Sequence, residues 1–173
     1  MGYTVEEYEA RVAVSEYMAE CVHVETFLAF CRECASYGTI WSCPPFDFSP
    51  EAIWQAHETF LIRGRKILTD GAVKPEIHKI LAQEKRQLLD ELLLLEKEYP
   101  GSAALSAGNC RECLSCAKIE GAPCRKPDRM RYSIEALGGD VSRTASRWLG
   151  QEIRWIKDGK LPEYLMLVGG LLI

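Results

Sequence analysis

The chain lacks any apolar run long enough to cross a bilayer. Its longest, YLMLVGGLLI at 164–173, has ten residues, against about 20 for a membrane-spanning helix. A basic balance is missing too: 25 acidic against 21 basic side chains give a net charge of −4, which argues against a nucleic-acid partner. The opening MGYTVEEYEA has neither the positive region nor the apolar core of a secretory leader. Glu6 stands where a myristoylation motif wants Ser or Thr. The expectation is a cytoplasmic protein with no membrane association. There is no phosphate loop, no dinucleotide fingerprint and no nucleophile elbow. Histidine is scarce: His23, His57 and His78 are scattered, not in ligand spacing. Repeats, low-complexity tracts and linkers are absent as well, so 1–173 reads as a single domain.

What the chain does have is cysteine, eight in 173 residues. A domain of this length buries enough surface to fold without staples. In a reducing compartment, closely spaced cysteines point to metal or catalysis rather than to disulfides, although the even count leaves a disulfide framework open.

The elements read as α+β, a mostly antiparallel sheet with helices packed on one face and two Cys-rich metal loops. EYEARVAV alternates like a strand, and SEYMAE and HVETFLAFC read as helices. Ser49-Pro50 opens a short helix through Trp54, with Ser as N-cap and Pro at the first helical position. ETFLIRGRKILT is strand-like. Lys74 to Tyr99 carries Leu81, Leu88, Leu92 and Leu95 at helical spacing and stops at Pro100-Gly101. SAALSAGN reads as a buried strand leading to Cys110. SIEALG and DVSRTASRWLG read as helices parted by Gly138-Gly139. QEIRWIK and YLMLVGGLLI, joined at Asp158-Gly159, read as a terminal hairpin.

The stronger metal signal is GNCRECLSCAKIEGAPCRKP: Cys110, Cys113 and Cys116 in C-x2-C-x2-C, then Cys124 after seven residues. Three thiolates in so short a loop suit a four-iron cluster, and ferredoxin-type loops share that core with one further Cys next to Pro. Here Pro127 follows Cys124 at a distance, which sets this fourth position apart. Zinc is the alternative, but zinc sites usually pair two CxxC knuckles across a longer loop. The second constellation, CRECASYGTIWSCPP, offers Cys31, Cys34 and Cys43, three thiolates from one loop. Its fourth ligand is open between Cys21, His23, His57, Asp47, water, a substrate or a partner. Cys21 reads better as a small buried apolar residue.

FCRECASYGTIWSCPPFDF, EYPGSAALSAGNCRECLSC, GAPCRKPDRMRYSIEALGGDV and GKLPEYLMLVGGLL together resemble domain-of-unknown-function family 2284, the DUF2284 predicted metal-binding proteins. The resemblance runs from about Phe30 to the C-terminus. It implies metal binding at Cys31, Cys34, Cys43, Cys110, Cys113, Cys116 and Cys124, with one or two iron–sulfur (4Fe-4S) clusters as the expected cofactor, and leaves Cys21 outside. It implies no particular reaction.

Three functions follow as expectations: electron transfer to a redox partner protein, a cluster-dependent enzyme with an open iron at the Cys31, Cys34, Cys43 site, or a domain with structural zinc. Arg125, Lys126, Arg129 and Arg131 form either a docking patch for an acidic partner or an ordinary solvated loop. Tyr37, Trp41 and Phe46 flank the first cysteine loop, as a water shield or as core.

Overall fold

Apolar residues occupy both faces of the central strand, so both faces must be covered. The structure, a computed structural model, describes residues 3–69 and 76–173. Strand β2, Thr59–Thr69, sends Phe60 and Ile62 to one side and Leu61 and Ile67 to the other. Four antiparallel strands lie in the order β1-β2-β4-β3, with β1 at Tyr3–Ala13, β3 at Ala103–Leu105 and β4 at Tyr164–Leu172. This is an α+β fold.

Helix α4, Ile77–Glu98, covers one face through Leu88 and Leu92. The other face carries α1 (Val14–Cys21), α3 (Pro50–Gln55), a 3-10 turn at Glu135–Leu137, and α5 (Val141–Thr144), which runs on into a π turn at Ala145–Leu149. Its core is aromatic: the Tyr17 ring lies 5.0 Å from Trp54 and 4.8 Å from Phe60. Each fully buried side chain of this size contributes roughly 1.5–3 kcal/mol over its exposed state. Helix α2, Val24–Arg32, follows α1 and ends in the first cysteine loop.

Several expectations need correction. Helices cover both faces of the sheet, because β2 and β4 are apolar on both. Leu81 is only half-buried, while Glu84 on the same helix is buried. The expected start of this helix at Lys74 falls outside the described residues. The terminal hairpin is absent: Asp158 and Gly159 do make a turn closed by a Lys157–Lys160 bridge, but the preceding segment is no strand. Both edges of β4 are already taken, by β2 and β3. SIEALG is only a 3-10 turn at Glu135–Leu137, and the strand expected in SAALSAGN is confined to Ala103–Leu105; Ser49 Oγ does accept from the Ala52 amide as N-cap, and β3 leads to Cys110.

Two glycines bring the site's segments together. A Cβ on Gly138, which has φ +82°, would lie 2.7 Å from the Val24 Cα, and one on Gly139 would lie 3.0 Å from the Ile134 carbonyl oxygen. This close approach lets the His23 amide donate to the Gly138 carbonyl at 2.8 Å. The turn holding Glu135 is thereby pressed onto the start of α2, whose far end carries Cys31.

Candidate metal centre

Each cysteine group surrounds a cavity. Cys31 sits in the last turn of α2, and the chain then turns tightly, Cys34 N–H donating to the Cys31 carbonyl and Cys43 N–H to that of Ile40, both at 3.0 Å. Cys31, Cys34 and Cys43 line a cavity of about 320 Å³ with Tyr37, Ser133 and Glu135. The second loop leaves β3, is tied back by the Ser106 amide to the Tyr132 carbonyl at 2.9 Å, and makes a 3-10 turn at Ala117–Glu120 right after Cys116. Cys110, Cys113, Cys116 and Cys124 all line a cavity of about 300 Å³. Among the described residues, no three Cys, His, Asp or Glu side chains converge closely enough to hold a bare ion. The thiols ring a space instead.

The two cavities adjoin. Ser36 and Asn109 lie on the walls of both, and the Asn109 side-chain amide donates to Ser36 Oγ at 2.9 Å. The Cys110 amide donates to Ser42 Oγ at 2.9 Å, one residue from Cys43. Trp41 crosses from the first loop to the wall of the second cavity, its indole N–H donating to the Ala122 carbonyl at 3.0 Å. Phe46 instead packs on Phe48 and Tyr132 beside the core.

Lys85, from α4, was not singled out by the sequence. Its ammonium donates to the Asn109 carbonyl, between the two cavities. Burial pulls its pKa down and the Arg111 charge adds to that, while Cys110, Glu135 and Cys43 pull the other way. Burial also holds the Cys31, Cys43 and Cys110 thiols above their ordinary range; the neighbouring thiols Cys43 and Cys34 add to this at Cys31. Loading with metal must therefore displace protons from these thiols.

The basic run is not a free patch. Arg129 pairs with Glu112 at 3.1 Å and Asp90 at 2.7 Å, Arg131 with Glu96 at 2.7 Å, and Arg125 with Glu120 at 3.0 Å. Arg129 and Arg131 clamp the second cysteine loop to α4.

Of the fourth-ligand candidates for the first loop, none of Cys21, His23, His57 and Asp47 lines its cavity. His57 is engaged by the Ile53 and Gly101 carbonyls. Cys21 is fully buried in the main core, where burial pushes its thiol from 9.0 up to about 11. A raised pKa means that the stability tied to the neutral thiol is full below pH ~9 and is lost as pH climbs through ~11. That loss is about 2–3 kcal/mol for a shift of this size. Cys21→Ala should keep its full metal content and, in denaturant titrations of the metal-free chain, lose less stability between pH ~8 and ~11 than the parent. Loss of a whole centre would make Cys21 a ligand.

With this geometry in view, the comparison with protein families is decisive: the family described as "Predicted metal-binding protein (DUF2284)" matches residues 17–173. The chain belongs to the DUF2284 family. Membership supports a metal cofactor in general. The match begins upstream of both cysteine loops, so it takes in both sites of this DUF2284 chain as well as most of α1. No curated protein and no solved structure matches it. Among the described residues, no helix is long and apolar enough to cross a membrane.

Proposed function

We propose that this DUF2284 protein is a two-centre iron–sulfur protein that carries electrons to or from a redox partner protein. The observation that carries the reading is the pair of adjoining cysteine-lined cavities, of about 320 and 300 Å³. Three cysteines at two-residue spacing on one cavity wall suit a four-iron cluster better than zinc, whose sites usually pair two CxxC knuckles across a longer loop. Cys110, Cys113, Cys116 and Cys124 would hold one four-iron cluster, and Cys31, Cys34 and Cys43 would supply the thiolates for another. Bound clusters would supply one-electron transfer at potentials set by charge, hydrogen bonds and exposure.

The chain's own part is to bind, shield and bias these centres. Trp41 closes one side of the second cavity against water. Ser42 Oγ lies 3.7 Å from Cys43 Sγ, within hydrogen-bonding reach of sulfur. Lys85 places a positive charge between the sites, which favours whichever state of each centre is more negative.

Anaerobic purification followed by iron, sulfide and zinc analysis tests the reading. Iron and sulfide should be found in similar amounts, with a visible absorption that dithionite bleaches and oxidation restores. A colourless protein carrying zinc alone would overturn it.

A further inference from the structure

One oxygen of the Glu135 carboxyl has no explanation within the fold. Among the described residues its Oε2 is buried and has no hydrogen-bond partner, and the residue lines the same cavity as Cys31, Cys34 and Cys43. An unpaired carboxylate oxygen is among the costliest groups to bury. The turn that carries it does not need an acid there. Its backbone is already fixed by the Trp54 indole N–H donating to the Leu137 carbonyl at 2.8 Å and by the Gly138–His23 contact. Asn109 on that wall is engaged with Ser36, and Ser133, whose Oγ accepts from the Ala136 amide at 3.0 Å, also hydrogen-bonds the Glu135 carboxyl but leaves Oε2 without a partner.

We propose that the Glu135 carboxylate is the fourth, non-cysteine ligand of the metal centre formed by Cys31, Cys34 and Cys43. The inference rests on iron occupying that cavity. Three observations converge on it: the first loop supplies three thiols, the cavity wall supplies one buried carboxyl oxygen without a partner, and the nearby Lys85 ammonium would offset the negative charge gathered when metal displaces their protons. A carboxylate carries the same charge as a thiolate, so the net charge of a four-ligand centre is kept. It is a harder ligand than sulfur and suits iron among the oxygen-binding metals. The first site would then differ in kind from the all-cysteine second site. It would also tie the end of α2 to the 133–139 turn, segments that are far apart in the chain.

The test uses the full chain, reconstituted anaerobically, as the parent and as Glu135→Gln, Glu135→Cys and Cys34→Ser. Each is assayed for iron and sulfide and, after brief ferricyanide oxidation, for the electron paramagnetic resonance signal of a three-iron cluster. Glu135→Gln should lose about one iron per chain with its sulfide kept, and should form the three-iron signal roughly tenfold faster or more. Glu135→Cys should keep that iron and suppress the signal. If Glu135→Gln does not fold, Glu135→Ser is read in the same way. A Gln variant that behaves like the parent, while Cys34→Ser removes a centre, overturns the ligand assignment alone. Should Cys34→Ser leave iron and sulfide unchanged, the first centre does not exist and the two-centre reading falls with it.

Discussion

Replacing Cys110, Cys113 and Cys116 together with Ser should remove about half of the bound iron and half of the sulfide, in step, and leave the rest. The three cysteines share a cavity wall, and no thiol of the first loop lies on it. Loss should be paired because a four-iron cluster left with one thiolate has too few ligands to persist. The fold should survive, since none of these side chains belongs to a core cluster. The loop also keeps its clamps, Arg129 to Glu112 and Asp90, and Arg131 to Glu96. Some stability will go, because metal binding is itself folding free energy. Metal analysis and the dithionite-bleachable absorbance measure the outcome, with circular dichroism as the check on folding. A triple variant with full metal content would mean that the cavity is not a metal site.

What the sequence reveals about this site is whatever is local in the chain. C-x2-C-x2-C is a local signal because two-residue spacings turn neighbouring thiols toward a common space. Lys85 and Glu135 leave no such trace. Lys85 lies in a run of helical charges, and only packing shows that its turn of α4 passes behind Asn109. Glu135 sits in a short segment, SIEALG, which reads as an ordinary helix; the glycines at 138 and 139 mark the close approach but not its partner. Sequence proximity puts Trp41 beside the first loop, whereas its side chain lines the second cavity.

The sheet teaches the same lesson. Apolar runs bounded by turn residues identify β2 and β4 as strands, and Asp158-Gly159 is a real turn, yet a strand pattern does not name its neighbour. The pairing of β4 with both β2 and β3 depends on contacts across the chain. Likewise, the Leu stripe of α4 predicts a core-facing helix. It does not predict that an acid on that helix is buried with it.

That acid carries the second large effect: Glu84→Ala should destabilise the protein by about 3–5 kcal/mol. Arg65, on the α4-facing side of β2, is 5% exposed, and Glu84 is 3% exposed; their atoms meet at 2.7 Å. Burial alone would lower the Arg65 pKa, but the hydrogen bonds to Glu84 and Glu91 outweigh it and the net direction is upward. Glu84 also accepts from the Tyr3 hydroxyl at 3.0 Å. Removing the carboxylate leaves a buried guanidinium with the neutral Gln87 amide oxygen at 3.2 Å and the more exposed Glu7 and Glu91, whose side chains are 68% and 44% accessible. Those partners are screened by water and recover little of the loss. Replacing both members with apolar residues, Arg65→Met with Glu84→Leu, should cost far less than Glu84→Ala, because no charge is then stranded. Urea denaturation of the three proteins decides it: a Glu84→Ala change within about 0.5 kcal/mol of the parent, as at ordinary surface positions, would show that the pair is not buried in solution. The effect reaches the metal sites because Lys85 is the next residue along the helix. A turn of α4 no longer held to β2 should release its hold on Asn109, and Glu84→Ala should lose iron faster to a chelator than the double replacement does.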